Sequence, residues 1–533
     1  MLGLFAGLLF LAPSQVQPVW AQGADQGSGQ AVELLTGPER TDFQEYTRYP
    51  EMMAYLQAVQ RTSPEMRMGI YGETREGRRL PFAVFSRPAV TRPWEAWALG
   101  KPIVVLAASV HGNERTLREA LLLMVRDLAR PGSELNRFLD DLVVVVVPQV
   151  NPDGFEASYQ GRRGNLWEID LNRDYIKLEH PSIQSYVENI LLAWQPHLFV
   201  DGHNGGSYPY NLNYQCTSHP DPDPRISALC DEEIFPAMDA DMEVQGFRSW
   251  YYQRGNASRW DVGGSDARIS RNYGGFMNSV GILFESPSWQ EMRAGVESGV
   301  VGYQSVLEYA RRQAVPLQEL VRQIRVETIA LGESSQGGLA LEVEYAPEPY
   351  SVNYLIGEGE GDDRRMVEVQ SDSLMKRPVA LTSRPRPWGY IVPRDAEAAV
   401  ELLKRHAIQV EVLTDTVTLQ VEAYVPRGFH FEEAYNHQAS VAVEVERLDR
   451  VERTFPPGSY LVRTGQMMGR VAAHMLEPDT PDNLIYWNTM DAWLPWAHLE
   501  RFRAGETMDP PYLPIFRIPS VTPLPTLLLE GRE

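Results

Sequence analysis

The stretch "VVLAASVHGNERTLREALLLMV" (residues 104–125) decides the fold. A continuous apolar run with two adjacent valines reads as a strand buried on both faces. It breaks at His111-Gly112 and gives way to Leu117, Ala120, Leu121, Met124 and Leu128, which recur at helical spacing until Pro131-Gly132 stops them. A buried strand that hands directly to an amphipathic helix is the first half of a βαβ unit. The histidine sits at the hand-over, with Glu114 three residues on, about one helical turn.

Three further runs have the same character: "DLVVVVVPQV" (141–150), "PHLFVDGH" (196–203) and "SVGILFES" (279–286). Strands alternating with helices predict a mixed, mostly parallel sheet with helices on both faces, an α/β/α sandwich spanning residues 35–330. Ligands of such sheets bind beyond the carboxyl ends of the strands. After residue 330 the chain changes. Gly/acid-rich punctuation such as "GEGEGDD" separates alternating segments such as "LALEVEYA". The segment 388–413 reads as strand, helix, strand, so residues 331–533 are expected to form a second mixed α/β domain richer in β. "GEGEG" is no nucleotide fingerprint, because no helix follows it.

The 533 residues exceed one ordinary core. A formal net charge of −22 argues against a nucleic-acid partner, whose phosphates need Lys and Arg. Residues 1–21 read as a secretory signal, with an apolar core too short to span a bilayer, and 22–34 as a flexible leader. No other run is apolar and long enough to cross a membrane, so the mature chain is expected to be exported, periplasmic or secreted. Two cysteines, Cys216 and Cys230, are either one disulfide or two buried thiols.

His-x-x-Glu alone does not make a site, since the chain also carries it at His430/Glu433 and His474/Glu477. The His474 copy lies in an Ala-rich helical segment and reads as a core histidine. "HFEEAYNH" sets His430, Glu433 and His437 on one face if it is helical, a rival three-ligand arrangement. Its flanks read instead as a loop between strands. His111 is better placed, at a strand end with a turn-permitting glycine. His203 closes another buried strand and completes a two-His, one-Glu set that leaves a fourth zinc position open, as catalytic zinc requires. Glu285 ends a third strand, where a lone carboxylate can take the proton of a metal-bound water.

In order along the chain, "HGNE" (111–114), "NPDG" (151–154), "RGNLWEIDLNRD" (163–174), "DGH" (201–203) and "FES" (284–286) resemble the zinc carboxypeptidases of the carboxypeptidase A type. The resemblance spans roughly residues 45–310. It implies a central mixed sheet, one Zn2+ per chain, and hydrolysis of the carboxy-terminal bond of a peptide with a free carboxylate. It also implies that His111, Glu114 and His203 are metal ligands and that Glu285 is the general base. Arg163, rather than Arg162, would stabilise the oxyanion, and Asn172 and Arg173 would bind the terminal carboxylate. The family's mobile tyrosine corresponds to Tyr252 or Tyr273. The same metal set also suits an enzyme trimming peptidoglycan peptides or an N-acyl amino acid deacylase. A non-catalytic peptide-binding protein has no use for Glu285 and Arg163.

Overall fold

The computed structural model describes residues 34–164, 169–256, 259–359, 364–433 and 439–529. The signal and most of the leader fall outside these residues, as do His437 and the 165–168 portion of the 163–174 motif. Among the described residues no helix is long and apolar enough to cross a membrane.

The strands of the first region are β1 (Met66–Glu73), β2 (Arg79–Phe85), β3 (Ile103–Ala108), β4 (Val143–Val147), β5 (Leu198–His203), β6 (Leu212–Cys216), β7 (Ser249–Tyr251), β8 (Gln253–Asn256), β9 (Arg259–Val262) and β10 (Val280–Glu285). Eight of them form one sheet in the order β1-β2-β4-β3-β5-β10-β6-β7. The central pairs β4-β3, β3-β5 and β5-β10 are parallel, as is β6-β7, while β1-β2, β2-β4 and β10-β6 are antiparallel. This is the mixed, mostly parallel sheet that the apolar runs predict.

Period-two alternation sorts each central strand between two cores. Val104, Leu106, Val144, Val146, Leu198, Val200 and Ile282 pack against helices α1 (Thr116–Ala129) and α3 (Met292–Arg312). Ile103, Val105, Val143, Val145 and Phe199 face the helical segment 181–192 and helix α2 (Ser270–Phe276). Covering both faces explains why β4 is five consecutive valines, all fully buried.

Helix α4 (Ala314–Glu333) leads into the second region. Segment 388–413 folds as expected, with strand Gly389–Val392, helix Glu397–Arg405 and strand Glu411–Leu413. The two outer segments belong to a seven-stranded sheet. The two regions share an apolar core, in which Tyr390, Leu403 and Trp487 cluster with Ile183, Tyr273 and Phe276. A second sheet is built jointly. Strands Gly338–Pro347 and Leu374–Pro385 extend the β8-β9 hairpin, with Leu374 in parallel register with Trp260.

Three loops at the carboxyl edge of the central strands stack backbone to backbone. A Cβ on Gly112 would lie 2.1 Å from the Gly154 carbonyl carbon, and one on Gly154 would lie 2.4 Å from the Gly164 oxygen. Asn151 accepts the Gly154 N–H at 2.8 Å and donates to Gly164 O at 3.3 Å. Asp153 receives Thr74 Oγ1 at 2.8 Å and Arg78 Nη1 at 2.7 Å, fastening the turn to the β1-β2 hairpin. The "NPDG" motif is therefore structural: it shapes the floor on which His111 stands. Cys216 and Cys230 form a disulfide, with Cα atoms 6.2 Å apart across 14 residues.

Two measurements test this framework. Gly112→Ala should lower the stability of the chain by on the order of 3 kcal/mol in denaturant melts, because its methyl meets backbone that cannot step aside. The unfolded, unreduced protein should take up no thiol-alkylating label, and Cys216→Ser/Cys230→Ser should melt earlier by about 3 kcal/mol, the value for a loop of this length.

Candidate metal centre

β3, β5 and β10 lie side by side, and their carboxyl ends carry the residues singled out in the sequence. His203 is paired with Glu285 in parallel register, and Gly202 with Ala108, three residues before His111. Glu114 follows on the turn that opens α1. Both imidazoles and both carboxylates are more than nine-tenths buried.

The two rings face each other through the same nitrogen. His203 Nδ1 lies 3.1 Å from His111 Nδ1 and 2.8 Å from Glu114 Oε2, and His111 Nδ1 lies 2.9 Å from Glu114 Oε1. Behind each ring stands another carboxylate: Asp170 Oδ1 is 2.8 Å from His111 Nε2, and Asp201 Oδ2 is 2.8 Å from His203 Nε2. A carboxylate accepts, so each Nε2 carries a proton, and in the neutral, metal-binding form of each ring Nδ1 presents a lone pair. Two lone pairs and a carboxylate aimed at one point repel unless a positive charge sits between them. The donor set thus fits a divalent cation such as zinc, held by two imidazole nitrogens and one carboxylate.

The electrostatics agree. Burial works to raise the Glu114 pKa, yet the neighbouring His111 and His203 hold it well below the ordinary range. Asp170 is likewise held low against its burial by His111, Arg163 and Arg173. Glu285 goes the other way: burial, then the charge of Glu114, push it up to about 7. Its Oε2 is buried with no hydrogen-bond partner. Gly205 makes room for it, since a Cβ there would lie 2.5 Å from that oxygen. A carboxylate that keeps a proton near neutrality and has one face unused is suited to proton transfer.

Arg163 lies at the mouth with its side chain half exposed, donating from Nη1 to Glu114 Oε1 at 3.0 Å and from Nη2 to Asp170 Oδ2 at 3.1 Å. Arg162 is exposed, and its backbone, not its guanidinium, braces the loops by donating to Gly154 O at 2.8 Å. Asn172 is buried, accepts the Ser270 N–H at 2.9 Å, and sits 3.3 Å behind His203 Nε2. Arg173 is partly exposed and donates to the Asn172 carbonyl at 2.8 Å. Tyr273 is fully buried, with its hydroxyl 2.9 Å from His406 Nδ1 in the interface with the second region, so of the two tyrosines only Tyr252 is available to the site. The Tyr252 hydroxyl accepts from Arg254 at 3.1 Å.

The sequence reading passed over Asp170 and Asp201. Their signal was present: Asp201 lies two residues before His203 on the same strand face, and Asp170 caps the turn carrying Asn172. Among the described residues of the rival segment none is helical, and His437 lies outside them. His430 lies on strand Val417–Phe431, paired with Ala442, where backbone alternation sends its neighbours to opposite faces. One other group with metal-ligand chemistry, His219, Asp221 and His474, occurs among the described residues. There the charges of Arg386 and Arg470 act on Asp221, Arg268 acts on His474, and His219 Nδ1 already accepts the Asp221 N–H at 3.1 Å, so a cation is opposed rather than invited.

Known proteins point the same way. Residues 52–235 match the zinc carboxypeptidase family. The chain is 25% identical over 462 residues to carboxypeptidase 2 of Trichophyton rubrum, covering 82% of this chain and 83% of that protein. It is 29% identical over 203 residues to carboxypeptidase M of Mus musculus, covering 34% of this chain and 44% of that one. A metallo-carboxypeptidase structure from Burkholderia cenocepacia aligns with a TM-score of 0.40 at 18% identity, covering 50% of this chain and 70% of its own. The paired imidazoles and the carboxylates that orient them, at the ends of parallel strands, all fall within the segment 52–235 that matches the zinc carboxypeptidase family, and in both sequence and site this chain resembles the metallocarboxypeptidases.

Proposed function

We propose that the chain is an exported zinc metallocarboxypeptidase in which His111 Nδ1, Glu114 and His203 Nδ1 hold one zinc ion and Glu285 is the general base. The observation that carries this reading is the convergence of both Nδ1 atoms on Glu114, with the unpartnered Glu285 carboxylate in register beside His203. Zinc, when bound, supplies Lewis acidity, polarising a carbonyl and bringing water's ionisation near neutral pH.

The protein's own groups divide the rest of the work. Asp170 and Asp201 fix the tautomers and orientation of the two imidazoles. Glu285 accepts a proton from the attacking water and returns it to the departing amine, a role for which a base poised near 7 is matched. Arg163 moves its donors from Glu114 and Asp170 toward the oxygen that gains charge, a contribution of roughly 3 kcal/mol. Asn172 and Arg173 hold the free carboxylate of the substrate, for which a planar guanidinium is suited. Export accords with the disulfide and with the amino-terminal apolar segment.

Glu285→Gln should retain about one zinc per chain by elemental analysis while release of terminal amino acids falls by on the order of a hundredfold or more; undiminished turnover refutes the assigned base. His111→Ala and His203→Ala should lose the metal, whereas His430→Ala should keep it. Arg173→Met should raise KM for free-acid peptides by roughly tenfold and erase the discrimination against the matching carboxy-terminal amides.

A further inference from the structure

Resting on the peptidase reading above, we propose that Arg271 makes this enzyme selective for peptides whose terminal residue has an acidic side chain. Arg271 is the second residue of α2 and is 3% exposed. Its Nη2 donates to Gly264 O at 2.6 Å, to Gly263 O at 2.9 Å and to Ser218 Oγ at 3.1 Å. All three acceptors are neutral. No carboxylate forms an ion pair with it among the described residues, and its Nε is buried with no partner. A buried guanidinium without a counter-ion is costly, and it is retained where an anion is to be met.

Its position says which anion. The residue before it, Ser270, donates its N–H to Asn172 Oδ1 at 2.9 Å, joining the start of α2 to the pair assigned to the terminal carboxylate. Arg173, Tyr252 and Glu285 all lie close enough for their charges to act on Arg271. A Cβ on Gly263 would sit 3.0 Å from Gln215 Oε1, 3.4 Å from Arg271 Nη2 and 3.6 Å from the Tyr252 ring, so these four residues are neighbours. Gln215 pairs with Leu283 and Asn213 with Glu285, which puts Gln215 on the same sheet face as the base, two residues or about 7 Å along the strand. The floor next to the base is thus polar and contains a cation without a counter-ion. Arg173 and Arg271 repel each other when the site is empty. A terminal residue carrying two carboxylates neutralises both, its main-chain carboxylate at Asn172/Arg173 and its side-chain carboxylate at Arg271. A terminal lysine or arginine brings a third positive charge to the same place.

The test is a peptide series differing only in the last residue: Glu, Asp, Gln, Leu and Lys. For the zinc-loaded full chain, kcat/KM for the better of Glu and Asp should exceed that for Gln by about tenfold or more, with Lys lowest. In Arg271→Gln that ratio should collapse toward one, with thermal melting followed in parallel to confirm folding. Equal rates for Glu, Gln and Leu in the native enzyme overturn the proposal, and so does an unchanged ratio in a folded Arg271→Gln. Should that variant fail to fold, the native series still decides. Turnover of any peptide in the series, lost in Glu285→Gln, carries the peptidase reading separately. Should none be turned over, calorimetric binding of the Glu- and Gln-ended peptides to Glu285→Gln reads the selectivity alone, and equal affinities overturn it.

Discussion

Everything in this molecule is organised around keeping two imidazole nitrogens 3.1 Å apart with their lone pairs toward each other. Left alone, that arrangement is repulsive. It is held because Asp170 and Asp201 take the opposite ring protons, and because each of those carboxylates is fixed in turn. Asp201 is rooted in a fully buried strand. Asp170 is clamped by the Arg163 guanidinium and by the Asn172 N–H at 3.0 Å. The parallel register of β3, β5 and β10 then delivers all of these groups to one edge. The sheet supplies the positions, the carboxylates behind the rings supply the tautomers, and a cation held there would resolve the conflict that remains.

Much of this is legible in the sequence because burial on both faces writes a continuous apolar run. The valines of β3 and β4 could hardly be anything else in such a chain. The residue that ends each run must then lie at the sheet's rim. His111, His203 and Glu285 are visible for that reason, and α1 is visible through its periodicity. The segment 388–413 was readable in the same way.

Other features were not readable, and each for a physical reason. A histidine's orienting carboxylate has no fixed sequence separation: Asp201 is two residues from its ring, Asp170 fifty-nine from its own. "HFEEAYNH" has helical spacing, yet His430 belongs to a long strand whose pairing with residues 441–455 outweighs local periodicity. Choosing between Tyr252 and Tyr273 required knowing what the second region covers, since only His406, 133 residues away, shows Tyr273 to be committed to the interior. Nothing in the sequence around Arg271 marks it, because its burial and its lack of a counter-ion are properties of the folded chain.

The jointly built sheet makes the appended region more than a passenger. Tyr345, on the strand Gly338–Pro347, donates its hydroxyl to Gly263 O at 2.8 Å and lies 3.1 Å from Ser218 Oγ, two of the groups that also receive Arg271. Part of the surroundings of Glu285 is therefore encoded about sixty residues downstream of it, outside the segment 52–235 that matches the family model. Exchanging the second region for that of another chain would therefore remove a hydroxyl that shares the acceptors of Arg271, so the two regions cannot be altered independently.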